Sequence, residues 1–124
     1  MPKLSKETAP DVKEFPMATD RSGDLDGYTF NFVTIHQSHD LGPILAQLPA
    51  GNCQCPHWGY LSKGQMTVRY GDREEVIEAG DAFYMPPGHA PEAVAGTEIL
   101  QISPANEFAE LQSALMNAMQ AQRS

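Results

Sequence analysis

The stretch QMTVRYGDREEVIEAGDAFYMPPG, residues 65–88, decides the fold. Met66, Val68 and Tyr70 alternate with polar neighbours, which puts them on one face of a strand. Gly71-Asp72 supplies a tight turn, and REEVIE returns as the second arm of a hairpin. AFYM at 82–85 is a further short strand, stopped by Pro86-Pro87-Gly88. Working outward, Tyr28 to Ile35 is rich in aromatic and β-branched residues, with Tyr28, Phe30 and Phe32 alternating against Thr29 and Asn31. TEILQIS at 97–103 gives another strand. Short strands at regular spacing, separated by turn signals, predict an all-β sandwich or barrel.

The flanks have other periods. Residues 1–26 are polar, show neither helical nor strand alternation, and read as an irregular N-terminal arm. LGPILAQLPAGN, with two prolines and two glycines, reads as a connecting segment. After residue 104 the spacing of Phe108, Leu111, Leu115 and Met119 predicts an amphipathic helix, with Ser103 or Asn106 as its cap. Its methionines are best read as part of an apolar face packed on the barrel or on a second subunit. The expected organisation is therefore an arm over 1–26, a barrel over 27–104 and a helix over 105–124.

At 124 residues the chain suits one domain. Eight basic against sixteen acidic residues give a formal charge of −8, which argues against nucleic acid or an anionic membrane as the main partner. No run approaches the roughly 20 apolar residues of a membrane helix, and MPKLSKETAPDVKEFP lacks the apolar run of a secretion signal. A cytoplasmic location is expected. In a reducing compartment Cys53 and Cys55, whose bridge would close a small strained ring, are expected as thiols or as thiolates on a metal.

Residues 51–93 resemble the two motifs of the cupin family, small jelly-roll β-barrels. Gly80, Pro86 and Gly88 in GDAFYMPPG match the second motif, G-x5-P-x-G-x2-H, and Gly64 matches the closing glycine of the first. The resemblance covers about residues 28–103 and implies a cupin-type jelly-roll β-barrel, here with a C-terminal α-helix. The metal positions depart from the family pattern. The first motif's glutamate position holds His57, its second histidine position holds Cys53 and its first holds Gly51. In the second motif the histidine position holds Pro91, with His89 two residues earlier.

Cys53, Cys55, His57 and His89 are nonetheless four donors suited to a borderline metal; a tetrahedral S2N2 set fits zinc, and copper or iron are further options. Strand geometry limits the idea, because positions two apart point the same way about 6.6 Å from one another. Convergence of 53, 55 and 57 needs a bend, for which Gly51-Asn52 and Pro56 provide. Plainer readings stand beside this one. Cysteine is a common small core residue, His89 suits a turn residue bonded to backbone, and His36 and His39 suit a solvated loop. Trp58 and Tyr60 alternate away from His57 and belong to outer-face packing or a subunit interface, while Gly59 leaves space beside His57.

The function expected from these residues is that of a small metal-binding cupin-domain protein that holds a metal, a small molecule or both in the barrel, without assigned catalysis. The alternative is a metal-dependent cupin enzyme of oxygenase, isomerase or lyase type acting on a small organic substrate, with Glu92 or Glu98 as acid or base. A redox role for Cys53 and Cys55 lacks a basic neighbourhood apart from His57. A homodimer is the expected assembly.

Overall fold

The computed structural model describes residues 3–46, 48 and 54–123. Ten strands and two helices follow one another: β1 (Asp11–Glu14), β2 (Ala18–Leu25), β3 (Tyr28–Ile35), β4 (His39–Asp40), α1 (Gly42–Leu45), β5 (His57–Lys63), β6 (Gln65–Tyr70), β7 (Arg73–Glu78), β8 (Ala82–Met85), β9 (Ala90–Ala93), β10 (Glu98–Pro104) and α2 (Ala105–Arg123). A six-stranded sheet runs β1-β2-β3-β10-β5-β8, and a four-stranded sheet runs β4-β9-β6-β7. Every strand pair is antiparallel. This is the jelly-roll arrangement that the sequence predicted, with the hairpin at Gly71-Asp72 joining β6 to β7.

The core lies between the sheets. Ile35, Leu61 and Ile99 from the larger sheet meet Met66, Val68, Ile77 and Ala93 from the smaller one. Burial of each such side chain stabilises by roughly 1.5–3 kcal/mol. The edge strand β7 buries only Ile77 and exposes Arg73, Glu74, Glu75 and Glu78, a charged margin that discourages edge-to-edge pairing. Among the described residues no helix is long and apolar enough to cross a membrane.

Three sequence expectations are corrected. The stretch expected as an arm supplies β1 and β2, and β2 pairs with β3 from Ala18–Ile35 to Leu25–Tyr28. Its strand character was hidden because Asp20 and Ser22, which follow Ala18 on the same face, are polar. Ser103 does not cap α2; it lies in β10 with its hydroxyl 2.7 Å from the ring of His57, and Asn106 falls inside the helix. Within the expected connecting segment, Gly42–Leu45 forms a single helical turn.

Gly64 joins β5 to β6 with φ +84°, and a Cβ there would collide with Thr97. Thr97 is fully buried, and its hydroxyl accepts from the Gln65 amide at 3.2 Å and donates to the Gln65 carbonyl at 3.1 Å. Gly64→Ala is therefore expected to cost about 2 kcal/mol or more, as strained backbone and clash add. Urea denaturation checks this; a loss below about 0.5 kcal/mol would show that the turn relaxes freely.

Candidate functional site

The alternation of β5 decides what faces the interior. His57 is buried and Trp58 is 44% exposed, so His57, Gly59 and Leu61 point inward while Trp58 and Tyr60 point out. Met85 of β8 lies opposite His57, and Ser103 of β10 holds it from the other side. His89 follows the Pro86-Pro87-Gly88 break and is buried, its ring 4.9 Å from that of His57 in an edge-on contact. Phe108 of α2 meets His57 edge-on at 6.4 Å.

His57, Met85, His89 and Phe108 line one part of a cavity of about 270 Å³ between the sheets. Its wall is mostly aliphatic, including Val33, Ile35, Met66, Met85 and Ile99, and α2 closes one side with Phe108, Leu111, Gln112, Leu115 and Met116. The helix expected to pack on the barrel thus forms part of the cavity wall. Lys13, Asp20, His39 and Gln101 add polar groups elsewhere around it.

Burial fixes the charge state of the imidazoles. Loss of solvent, with a smaller contribution from the neighbouring His89, pushes the His57 pKa down to about 3. His89 is also lowered by burial, against a smaller upward effect of its bond to the Pro86 carbonyl. Both are therefore neutral at pH 7, the form that hydrogen-bonds through one nitrogen as acceptor and that binds metals. His89 Nδ1 lies 2.7 Å from the Pro86 carbonyl, which only accepts, so Nδ1 carries the proton and Nε2 the lone pair. His57 Nδ1 faces a hydroxyl, which can donate or accept, so its tautomer is set by how the Ser103 hydroxyl turns.

Of the four donors expected from the sequence, the structure brings His57 and His89 together. Cys53, and Gly51 beside it, lie outside the described residues. Cys55 is buried in a neighbouring cluster with Leu45, Leu48 and Phe108. Among the described residues no three His, Cys, Asp or Glu side chains are grouped to hold a metal ion. Two imidazoles alone do not complete the shell of a structural or catalytic zinc site, which takes at least three protein ligands. The usual glutamate of the family is absent at His57, and Pro91 lines the cavity without a donor.

Other expectations change with the geometry. Gly59 leaves no open space, because a Cβ there would run into the Phe83 ring and the Leu100 carbonyl. Glu92 pairs with Arg69 at 3.0 Å, and Glu98 with Lys6 and Lys63 at 3.2 and 3.1 Å; neither lines the cavity. His36 is exposed with its Nε2 2.7 Å from the Thr19 hydroxyl, as a surface histidine should be. His39, however, stands in β4 opposite Ala93 and lines the cavity. Asp20, the third residue of β2, was missed altogether, because a strand this polar leaves little signal.

Two antiparallel sheets around a cavity, with spaced turn glycines at 64, 80 and 88, define a cupin. The chain belongs to the family of AraC-like ligand binding domains, whose pattern matches residues 57–121, more than half of its length. No curated protein matches the sequence. A protein of unknown function from Rhizobium leguminosarum bv. viciae superposes with a TM-score of 0.62 at 16% identity, over 83% of this chain and 95% of that one. An RmlC-like cupin from Shewanella frigidimarina gives 0.55 at 16% identity, over 82% and 88%. The polyketide cyclase RemF from Streptomyces resistomycificus gives 0.57 at 15% identity, over 84% and 79%. At such identities these likenesses establish the shared fold.

The neutral imidazoles carry a pH signature. Below pH 6.5 the unfolded chain protonates His57 while the native one resists until about pH 3, so stability present above 6.5 is lost on acidification through that window. His89 acts in the same direction. Asp20, raised by burial, acts oppositely as pH falls toward the carboxylate range. In chelator-treated protein, urea denaturation at pH 7 and pH 5 should show a loss of about 2 kcal/mol from His57 alone. His57→Gln should flatten the profile, and a wild-type midpoint unchanged between the two pH values would contradict neutral burial.

Proposed function

We propose that this chain is a ligand-binding cupin that holds a small, largely apolar molecule in the barrel cavity, with no catalytic step assigned. The cavity carries this reading: about 270 Å³ of mostly aliphatic wall with two neutral imidazoles at one side. That volume lies near the lower end of ligand pockets, which fits a molecule of about ten heavy atoms. Membership in a family of ligand-binding domains supports it. Titration with p-ethylphenol and ethylbenzene, followed by amide NMR, should shift signals of cavity residues such as Met85, His89 and Leu115. Leu115→Trp, projecting into the cavity from α2, should abolish those shifts while circular dichroism stays native. Absence of cavity shifts with both probes would overturn the reading.

A second reading, a metal held by His57 and His89 together with Cys53 and, if it turns inward, Cys55, is favoured by one observation. The two rings meet edge-on in neutral form, and the Pro86 carbonyl leaves the lone pair of His89 on Nε2. The donor set suits zinc, then copper or iron. Elemental analysis after reconstitution with each metal should give close to one equivalent, falling sharply in Cys53→Ala and His57→Ala. Less than about a tenth of an equivalent in the wild type would end this reading.

The assembly we infer is a homodimer. Tyr28, Trp58, Tyr60 and Tyr84 are 44–48% exposed on the outer face of the larger sheet, with the rings of Trp58 and Tyr84 5.0 Å apart. An exposed apolar face of this kind is suited to a partner surface, and the cytoplasm remains the setting that the composition suggests.

A further inference from the structure

A second polar region of the cavity lies on β2, remote from the imidazoles. Asp20 lines the cavity and stands opposite Val33 of β3 and Lys13 of β1. The Asn31 side-chain amide donates to both of its carboxylate oxygens, at 2.9 and 3.1 Å. Asn31 has no exposure, and its Oδ1 has no hydrogen-bond partner among the described residues. Gln101, opposite Asn31 on β10, also lines the cavity. From β2 to the His57 strand is three inter-strand steps across β3 and β10, about 14 Å at ordinary sheet spacing. The wall between is apolar, with Val33 and Ile99 side by side.

We propose, resting on the cavity-binding reading above, that Asp20 and Asn31 form the recognition end for a neutral hydroxyl group, so that the ligand is an alcohol or phenol with an apolar body. The carboxylate oxygens share one amide donor and keep lone pairs for a further donor from the ligand. A carboxylate or phosphate on the ligand would be repelled there. An ammonium group would lose its hydration against an aliphatic wall, and Lys13 already places a cation opposite Asp20. A hydroxyl avoids both costs: it donates to Asp20 and offers lone pairs to the Gln101 amide. Burial raises the Asp20 pKa, partly countered by its bond to Asn31 and the charge of Lys13, as a desolvated acceptor should behave.

Amide NMR titration at pH 7 tests this with three probes of similar size: p-ethylphenol, ethylbenzene and phenethylamine. A hydrogen bond to a charged acceptor predicts that wild-type protein binds p-ethylphenol about tenfold or more tightly than ethylbenzene, with phenethylamine weaker than the phenol. Asp20→Asn, isosteric, should bring the two uncharged probes to within about twofold of each other while leaving ethylbenzene unchanged. Equal binding of the uncharged probes by the wild type overturns hydroxyl recognition and leaves cavity binding standing. No binding of either overturns both. Tighter binding of phenethylamine overturns the neutral-donor assignment, and discrimination that survives Asp20→Asn overturns the role of Asp20. Should Asp20→Asn fail to fold, Asn31→Ser, which removes the amide clamp, takes its place with the same expected loss of discrimination.

Discussion

The register of β5 against β10 is the constraint on which the rest of the molecule hangs. Pairing Gly59 with Gln101 and Leu61 with Ile99 sends His57, Gly59 and Leu61 inward and Trp58 and Tyr60 outward. A slip of one residue would exchange the faces, burying an indole and exposing an imidazole. The bond between His57 Nδ1 and Ser103 Oγ, wholly inside the protein, fits only the observed register. It also explains why a serine stands one residue before the proline that ends β10: its hydroxyl satisfies the histidine, and α2 begins at Ala105 with its amide bonded to the Gly27 carbonyl.

Much of this frame was legible because turn chemistry and alternation are local. The β6–β7 hairpin, the strand from Tyr28 to Ile35 and the stop at Pro86-Pro87-Gly88 each follow from a few neighbouring residues. What escaped the sequence was the direction in which apolar residues point. In β3 the aromatic residues Tyr28, Phe30 and Phe32 lie on the outer face, and Thr29 and Asn31 are the buried ones. In β2 the inner face is polar as well. Hydrogen-bonded pairs across β2 and β3, Thr29 with Asp24 and Asn31 with Asp20, invert the ordinary pattern, so a reading that equates apolar with inside misses β2 and Asp20, while β1, exposed along its length, has no inner face to read.

The same inversion accounts for the candidate site. The spacing of cupin motifs singled out His57, and the structure places it at the cavity beside His89. His89 does what a turn histidine would do, bonding the Pro86 carbonyl, yet that bond is also what orients its lone pair. The plain and the functional readings of His89 are therefore one geometry. His39 was assigned to a solvated loop because nothing local shows that its two-residue strand pairs with β9 across the sheet. Long-range pairing of that kind is invisible to periodicity.

The two imidazoles differ in how far the protein has committed them. A carbonyl can only accept, so Pro86 locks His89 in one tautomer; a hydroxyl can donate or accept, so Ser103 lets His57 take either. A ligand offering a donor is met by His89 Nε2 without rearrangement. For His57 to present a lone pair at Nε2, as metal binding requires, its Nδ1–H must donate to Ser103, whose own proton must then turn away within a fully buried site. With the hydroxyl as donor to Nδ1 instead, the His57 proton sits on Nε2. The turn of one buried hydroxyl thus sets which tautomer His57 takes, whereas His89 is fixed by a carbonyl.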